Sequence, residues 1–134
     1  ALHGEMSSGH CIRCGRPAPA EGWLEAVIME PGGPRCRHCE GAVKPDIVLF
    51  GEFLPDDVMR AAQDEAEHCD LMLVAGSSLT VTPASLLPQW AASHGAYLII
   101  VNRESTTLDA EADVVLHADV TEALPALAAS CLAP

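Results

Sequence analysis

Residues 70–102 read DLMLVAGSSLTVTPASLLPQWAASHGAYLIIVN, and the reading of this stretch decides the fold class. LMLVAG and AYLIIV are apolar throughout, without the polar residue at every second position that a half-exposed strand carries, so both predict buried strands. Between them, TPASLLPQWAASHG predicts a helix. Thr82 can cap it, Pro83 suits its first position and Gly95 can close it, while Pro88 in the interior predicts a bend. Strand, helix and strand in direct succession form the unit of a parallel sheet.

The alternation extends in both directions. Upstream, DIVLFG (46–51) predicts another buried strand, and LPDDVMRAAQDEAEHC (54–69) a helix with Pro55 in its first turn and Asp56 and Asp57 beside the positive end of its dipole. Downstream, ADVVLHA (112–118) predicts a strand and VTEALPALAAS (120–130) a last helix. The expected class is α/β, a partial parallel sheet of about four strands with helices on both faces. Leu86, Leu87 and Trp90 lie at helical spacing and are expected in the core. Cys69, where helix meets strand, is expected as a buried small hydrophobe.

Residues 5–42 differ in kind, being rich in Gly, Pro, Cys and Arg. Their one apolar run, WLEAVIM (23–29), reads as a short strand with Trp23 packing inside the module. That is too little apolar material for an independent core. The replacement is in the cysteines: CIRC and CRHC place Cys11, Cys14, Cys36 and Cys39 as two chelating pairs with 21 residues between them. Two such knuckles complete a closed shell of four sulfurs that suits structural Zn²⁺ and leaves no position for a reacting water. A redox dithiol is the competing reading, and His10 and His38 are neighbouring substitute ligands. The expected organisation is a zinc ribbon over 5–42, with 43–134 and residues 1–4 belonging to the sheet domain.

Composition excludes several classes. The chain has seven Lys and Arg against nineteen Asp and Glu, a formal charge of -12, which argues against nucleic acid as a partner because phosphate neutralisation needs clustered cations. No apolar run approaches the ~20 residues of a membrane helix. Paired cysteines in a chain of this apolar content favour metal in a reducing compartment, and so a cytoplasmic location.

Taken in order, the motifs resemble those of the sirtuins, NAD-dependent protein-lysine deacylases. LHG (2–4), followed after six residues by Cys-x-x-C, resembles the catalytic His-Gly leading into the family's zinc ribbon. CRHCEGAVKPDIVLFGE (36–52) is similar to the second knuckle and the strand ending in Phe-Gly-Glu. CDLMLVAGSSLTVTPASLLP (69–88) resembles the Gly-Thr-Ser-Leu segment, and LIIVNRE (98–104) the Asn-x-Glu strand end. The resemblance implies a Rossmann-like sheet, zinc as structural metal, NAD as co-substrate and an acylated-lysine peptide or protein as substrate, with nicotinamide and O-acyl-ADP-ribose as products.

The same resemblance implies the site residues. His3 is the general base that helps a ribose hydroxyl attack after nicotinamide has left; an imidazole with a pKa near 6.5 suits transfer in both directions. Gly76, Ser77 and Ser78 meet ribose and phosphate oxygens, Asn102, Arg103 and Glu104 hold the adenosine ribose, and Val120 contacts adenine. Val48, Phe50, Gly51 and Glu52 on one side, with Leu79 and Val81 on the other, take the substrate backbone as an added strand. The family's Gly-Ala-Gly loop, the segment over nicotinamide and a Gln-Asn-Ile-Asp strand have no counterpart here. The chain therefore reads as the carboxy-terminal half of such an enzyme, with the missing amino-terminal half as an expected partner. A non-catalytic, zinc-stabilised nucleotide- or peptide-binding module is the alternative.

Overall fold

The computed structural model describes residues 1–19, 23–29 and 31–132, with the backbone alone at 19, 23, 24 and 26. It divides the chain into two units, Ala1–Val58 and Met59–Pro134.

The first unit is built on an antiparallel sheet. β1 (Gly4–Cys11) lies between β2 (Pro17–Pro19) and β3 (Val43–Ile47), and a short helix α1 (Trp23–Met29) follows β2. WLEAVIM is thus helical and not a strand. Val27, Ile28 and Met29 are exposed, so its apolar content does not mark a pleated buried surface. The expected packing of the Trp23 side chain lies outside the described residues. DIVLFG also departs from expectation. Pairing with β1 uses VKPDI and ends at Ile47; Leu49 to Glu52 form a turn in which the Glu52 N–H donates to the Leu49 carbonyl at 3.0 Å. Gly51 takes the left-handed φ of 90° that such a reversal favours in glycine.

The second unit carries the parallel sheet, in the order β4 (Leu71–Ala75), β5 (Tyr97–Val101), β6 (Val114–Leu116), paired in register from Leu71 opposite Tyr97 to Val101 opposite Leu116. The α/β class holds, with three parallel strands where about four are expected, because Asp46 and Ile47 belong to β3 of the other sheet and the segment then turns at Leu49–Glu52. Helix α2 (Asp56–His68) starts at the end of the first unit and leads into β4. Pro55 stands immediately before it.

The segment 82–95 is not one bent helix. A 3-10 turn over Ala84–Leu86 hands over to α3 (Leu87–Ser93), and Pro88 sits in the first turn of α3, where its missing N–H costs nothing. Thr82 does not cap; Pro83 precedes the turn without a side-chain cap. Gly95 closes the helix with φ 94°. The buried face of this segment is Ser85, Pro88 and Ala91, with Leu86, Leu87 and Trp90 half-buried.

Pleating separates the two faces of the sheet. Val74, Leu98 and Ile100 point to one side and join Leu79 and Leu108 in the core, and Ala66, Ala91 and Ala96 form a second cluster against Cys69, Met72 and Leu87. On the other side Leu71, Leu73 and Tyr97 are about half exposed. The last helix, α4 (Val120–Leu132), buries no residue fully. Ile100 is wholly enclosed at the centre of the covered face. Ile100→Ala is expected to cost the second unit roughly 2–5 kcal/mol, read from the shift of its denaturant midpoint.

Candidate functional site

Four sulfurs meet at one point in the first unit. The Sγ atoms of Cys11, Cys14, Cys36 and Cys39 all lie within 4.8 Å of one another, with Cys11 to Cys39 at 3.5 Å and Cys14 to Cys36 at 3.8 Å. A tetrahedral Zn²⁺ with ~2.3 Å bonds puts its sulfurs about 3.8 Å apart, so the spacing fits. The knuckles come from tight turns: the Gly15 N–H donates to the Cys11 carbonyl and the Glu40 N–H to the Cys36 carbonyl, both at 2.9 Å. The Arg13 N–H points at the Cys11 sulfur at 3.4 Å.

Electrostatics at the cluster call for a cation. Burial pushes the Cys11 thiol up, but the N–H groups of Cys14 and Arg13 and the thiols of Cys39 and Cys14 outweigh it and hold the group at about 6. The His38 and Cys39 N–H groups likewise lower Cys36. Cys39 goes the other way: the Gly41 N–H lowers it, but burial and the sulfurs of Cys11, Cys14 and Cys36 push it up to about 12. The four cannot all ionise together without a positive charge among them. Gly41 completes the cradle, because a Cβ there would stand 2.6 Å from the Arg13 Cβ and 2.9 Å from the Cys11 sulfur. All six cysteines are free thiols.

The remaining expected residues of the first unit cluster at the head of β3. His3 is exposed, and its carbonyl accepts the Val48 N–H at 2.9 Å. Val48 is half-buried, Phe50 fully exposed, and Gly51 has open space beside its Cα. The Glu52 carboxylate turns into its own loop: it accepts the Leu49 N–H at 3.0 Å and pairs with Lys44 at 2.8 Å. Those bonds hold it below the ordinary carboxylate range.

In the second unit the expected residues gather at the carboxyl ends of β4, β5 and β6. The Gly76 N–H donates to the Val101 carbonyl at 2.9 Å, and the Asn102 N–H to the Leu116 carbonyl at 3.1 Å. Gly76 has φ 63°, and the Val120 methyls lie 3.6 and 3.7 Å from where its Cβ would be. This edge, where backbone N–H groups and a helix start converge, is where open parallel sheets take ligands.

Side chains in this crevice sort themselves by partner. Asn102 Nδ2 donates to the Glu104 carbonyl at 2.8 Å, stiffening its own turn. Arg103 reaches to Asp119, while Glu104 is exposed. The Ser77 hydroxyl accepts the Leu79 N–H at 3.3 Å, and Ser78 and Thr80 share a hydroxyl bond of 2.9 Å. Leu79 has φ 55° and a side chain buried in the core, so it presents only backbone to a ligand, whereas Val81 is exposed.

Several supporting roles are absent from the sequence reading, which gives Asp119 a backbone contact with nucleotide and no capping role. Asp119 caps α4, accepting the Thr121 N–H at 2.8 Å and the Thr121 hydroxyl at 2.7 Å. Asp119 followed by Glu122 is a capping-box spacing and was legible. Thr106 donates its N–H and hydroxyl to Asp109, which faces His117 at 3.6 Å. Asp113 accepts the Leu98 N–H at 2.8 Å. Those two carboxylates carry no local signal.

Among protein families, the model of the Sir2 family matches residues 1–83. The chain is similar to the NAD-dependent protein deacetylase of Haloarcula marismortui, with 47% identity over 127 residues covering 94% of this chain and 48% of the relative. It is also similar to NAD-dependent protein deacetylase 1 of Geobacillus kaustophilus, with 44% identity, 87% of this chain and 45% of the relative. A solved structure of Sir2 with a p53 peptide and NAD+ superimposes with TM-score 0.87 at 34% identity, covering 98% of this chain and 55% of that one. One of Sir2Af2 bound to a myristoylated histone peptide gives 0.81 at 42% identity, covering 92% and 52%. The chain spans about half the length of the relatives it matches.

Two measurements test this geometry. Gly41→Ala is expected to weaken zinc roughly 10- to 100-fold, read by competition with a chromophoric chelator. The Thr121 hydroxyl, then Arg103 and the Thr121 N–H, hold the Asp119 carboxyl well below the usual carboxylate range. A depressed folded value means the cap supports α4 fully above the unfolded pKa of about 4 and fades as pH falls toward the folded value. Melting temperature followed by circular dichroism should show that acid decline, and Asp119→Asn should flatten it.

Proposed function

The chain belongs to the Sir2 family, the sirtuins, and from that membership we propose that it works as part of an NAD-dependent protein-lysine deacylase. The observation that carries the reading is the convergence of Gly76, Asn102 and Val120 at the carboxyl ends of three parallel strands. NAD, when bound, supplies the ADP-ribose that accepts the acyl group. Toward it, Gly76, Ser77 and Ser78 offer backbone and hydroxyl groups, Asn102 and Glu104 a ribose contact, and Val120 an apolar face for adenine.

His3 holds and moves the proton of the attacking ribose hydroxyl. Its exposed imidazole bears no hydrogen bond among the described residues and is free for that task. In the first unit Val48, Phe50 and Gly51 offer main-chain groups to an extended acyl-lysine peptide, and in the second unit Val81 and the Leu79 backbone offer the same kind of contact. Glu52 contributes by shaping the loop. The four-cysteine zinc site is structural. None of the six cysteines is in a disulfide, which supports a cytoplasmic setting.

The enzyme also needs the portion of the relatives' length that has no counterpart in this chain. Two features support a partner segment docking beside β4. Among the described residues only β5 pairs with β4. The free edge adjoins an apolar groove of about 480 Å³ lined by Ala62, Ala66, Leu71, Leu73, Leu87 and Pro88. Such an edge is a template for strand addition. The same half-site favours a second reading, in which this chain alone binds nucleotide or peptide without turnover.

Joining the chain to the amino-terminal half of the Haloarcula marismortui relative separates the two. With NAD and an acetyl-lysine peptide the assembled protein is expected to release nicotinamide and deacetylate the peptide, and His3→Ala to slow deacetylation roughly 10²- to 10⁴-fold. Nucleotide binding by the chain alone, with no turnover from the assembled protein, would favour the binding module.

A further inference from the structure

A carboxylate two residues upstream of the Val48 amide forms a junction that the proposed reaction does not use. β1 and β3 pair out of step: Gly4 faces Ile47 and Gly9 faces Pro45, so β1 advances five residues while β3 advances two. The surplus, Glu5 to Ser8, bulges out between His3 and the first zinc knuckle, with Glu5, Met6 and Ser7 exposed. Left to itself, a bulge of this length would let His3 wander relative to the metal.

Asp46 closes it from both ends. One carboxylate oxygen accepts the Ser8 hydroxyl and the other accepts the His10 Nδ1–H, each at 2.6 Å. Ser8 and His10 are two apart on β1 and so share a side of the strand. The main chain of Asp46 holds the other end. A Cβ on Gly4 would stand 1.8 Å from the Asp46 carbonyl oxygen, and Gly4 takes φ 72°, so only glycine lets the chain lie against it. One step on, the His3 carbonyl takes the Val48 N–H. The Ser8 and His10 bonds hold the Asp46 carboxyl below the ordinary range, so it is a charged acceptor at neutral pH.

We propose that Asp46 is a positioning residue, which ties the bulged part of β1 to β3 and so holds His3 at a set place relative to the zinc knuckle and the Val48–Glu52 loop. The proposal rests on the reading of His3 as general base. A base misplaced by about an ångström loses roughly 100-fold in rate, whereas ligand affinity and the metal are untouched. The loss should fall on the step that needs the base and spare the departure of nicotinamide.

Two variants, Asp46→Ala and the shape-conserving Asp46→Asn, test it in two ways. On the zinc-loaded chain, amide hydrogen exchange is expected to quicken roughly tenfold at Val48 in Asp46→Ala, with Ile12, Cys36 and Glu40 in the knuckles unchanged and zinc content intact. Unchanged exchange at Val48, or equal acceleration in the knuckles, would overturn the proposal. In the assembled protein, Asp46→Ala is expected to lower kcat for deacetylation roughly 10- to 100-fold with KM for NAD and nicotinamide exchange unchanged, and Asp46→Asn to recover part of the loss. Parallel loss of exchange and deacetylation would overturn it. An inactive parent protein would refute the deacylase reading instead, and the Val48 amide would then decide the strut alone.

Discussion

Four thiolates that cannot stay close together without a cation are the constraint on which the first unit depends. Among the described residues of the first unit the buried apolar side chains are Cys11 and Cys36, while the buried aliphatic side chains described lie in the second unit. A ribbon of Gly, Pro and charged residues buries too little surface to offset its chain entropy. The two knuckles therefore take the place of a core, and metal binding and local folding become one equilibrium. Burial and the three neighbouring sulfurs push the Cys39 thiol up, a penalty that a bound cation relieves.

That arrangement explains how the residues proposed for catalysis can sit on so slight a scaffold. β1 runs from the first knuckle at Cys11 back to Gly4, and β3 from the second knuckle's exit to Ile47, so the metal anchors both strands at one end. At the other end the anchoring passes to Asp46, Gly4 and the His3–Val48 bond. Lys44 continues it, donating to the Ile47 carbonyl and pairing with Glu52 to shape the exposed turn. The second unit uses a different device. Its crevice is set by the ends of strands embedded in a packed core, and polar braces such as Arg103–Asp119 and Asp109–His117 stiffen the loops above.

Where local pattern and structure part company, the reasons are specific. WLEAVIM is equally apolar as a strand or as a helix, and no turn-length pattern inside it chooses between them. DIVLFG is apolar enough for a buried parallel strand, yet Asp46 finds Ser8 and His10 only if VKPDI pairs with β1. Pro88 falls at the start of a helix because the preceding turn winds as 3-10, a choice made by the packing of Ser85 and Ala91. Leu79 is placed in the core by a left-handed backbone that no propensity foretells for leucine.

The linear order of residues by itself determined the metal ligands, the parallel β4–α3–β5 unit and the family, because each is encoded by short spacings: Cys-x-x-C twice, apolar runs of strand length, and motifs in a set order. Tertiary structure alone decided which carboxylates matter. Asp46, Asp109 and Asp113 are indistinguishable from surface acids in a chain with nineteen Asp and Glu, and only Asp119 has a spacing signal, to Glu122. Asp46, Asp113 and Asp119 are held by partners between 15 and 38 residues away, which only the folded backbone brings within hydrogen-bonding reach. Asp109 takes Thr106 three residues back and owes its second partner, His117 eight residues on, to the return of β6 alongside β5.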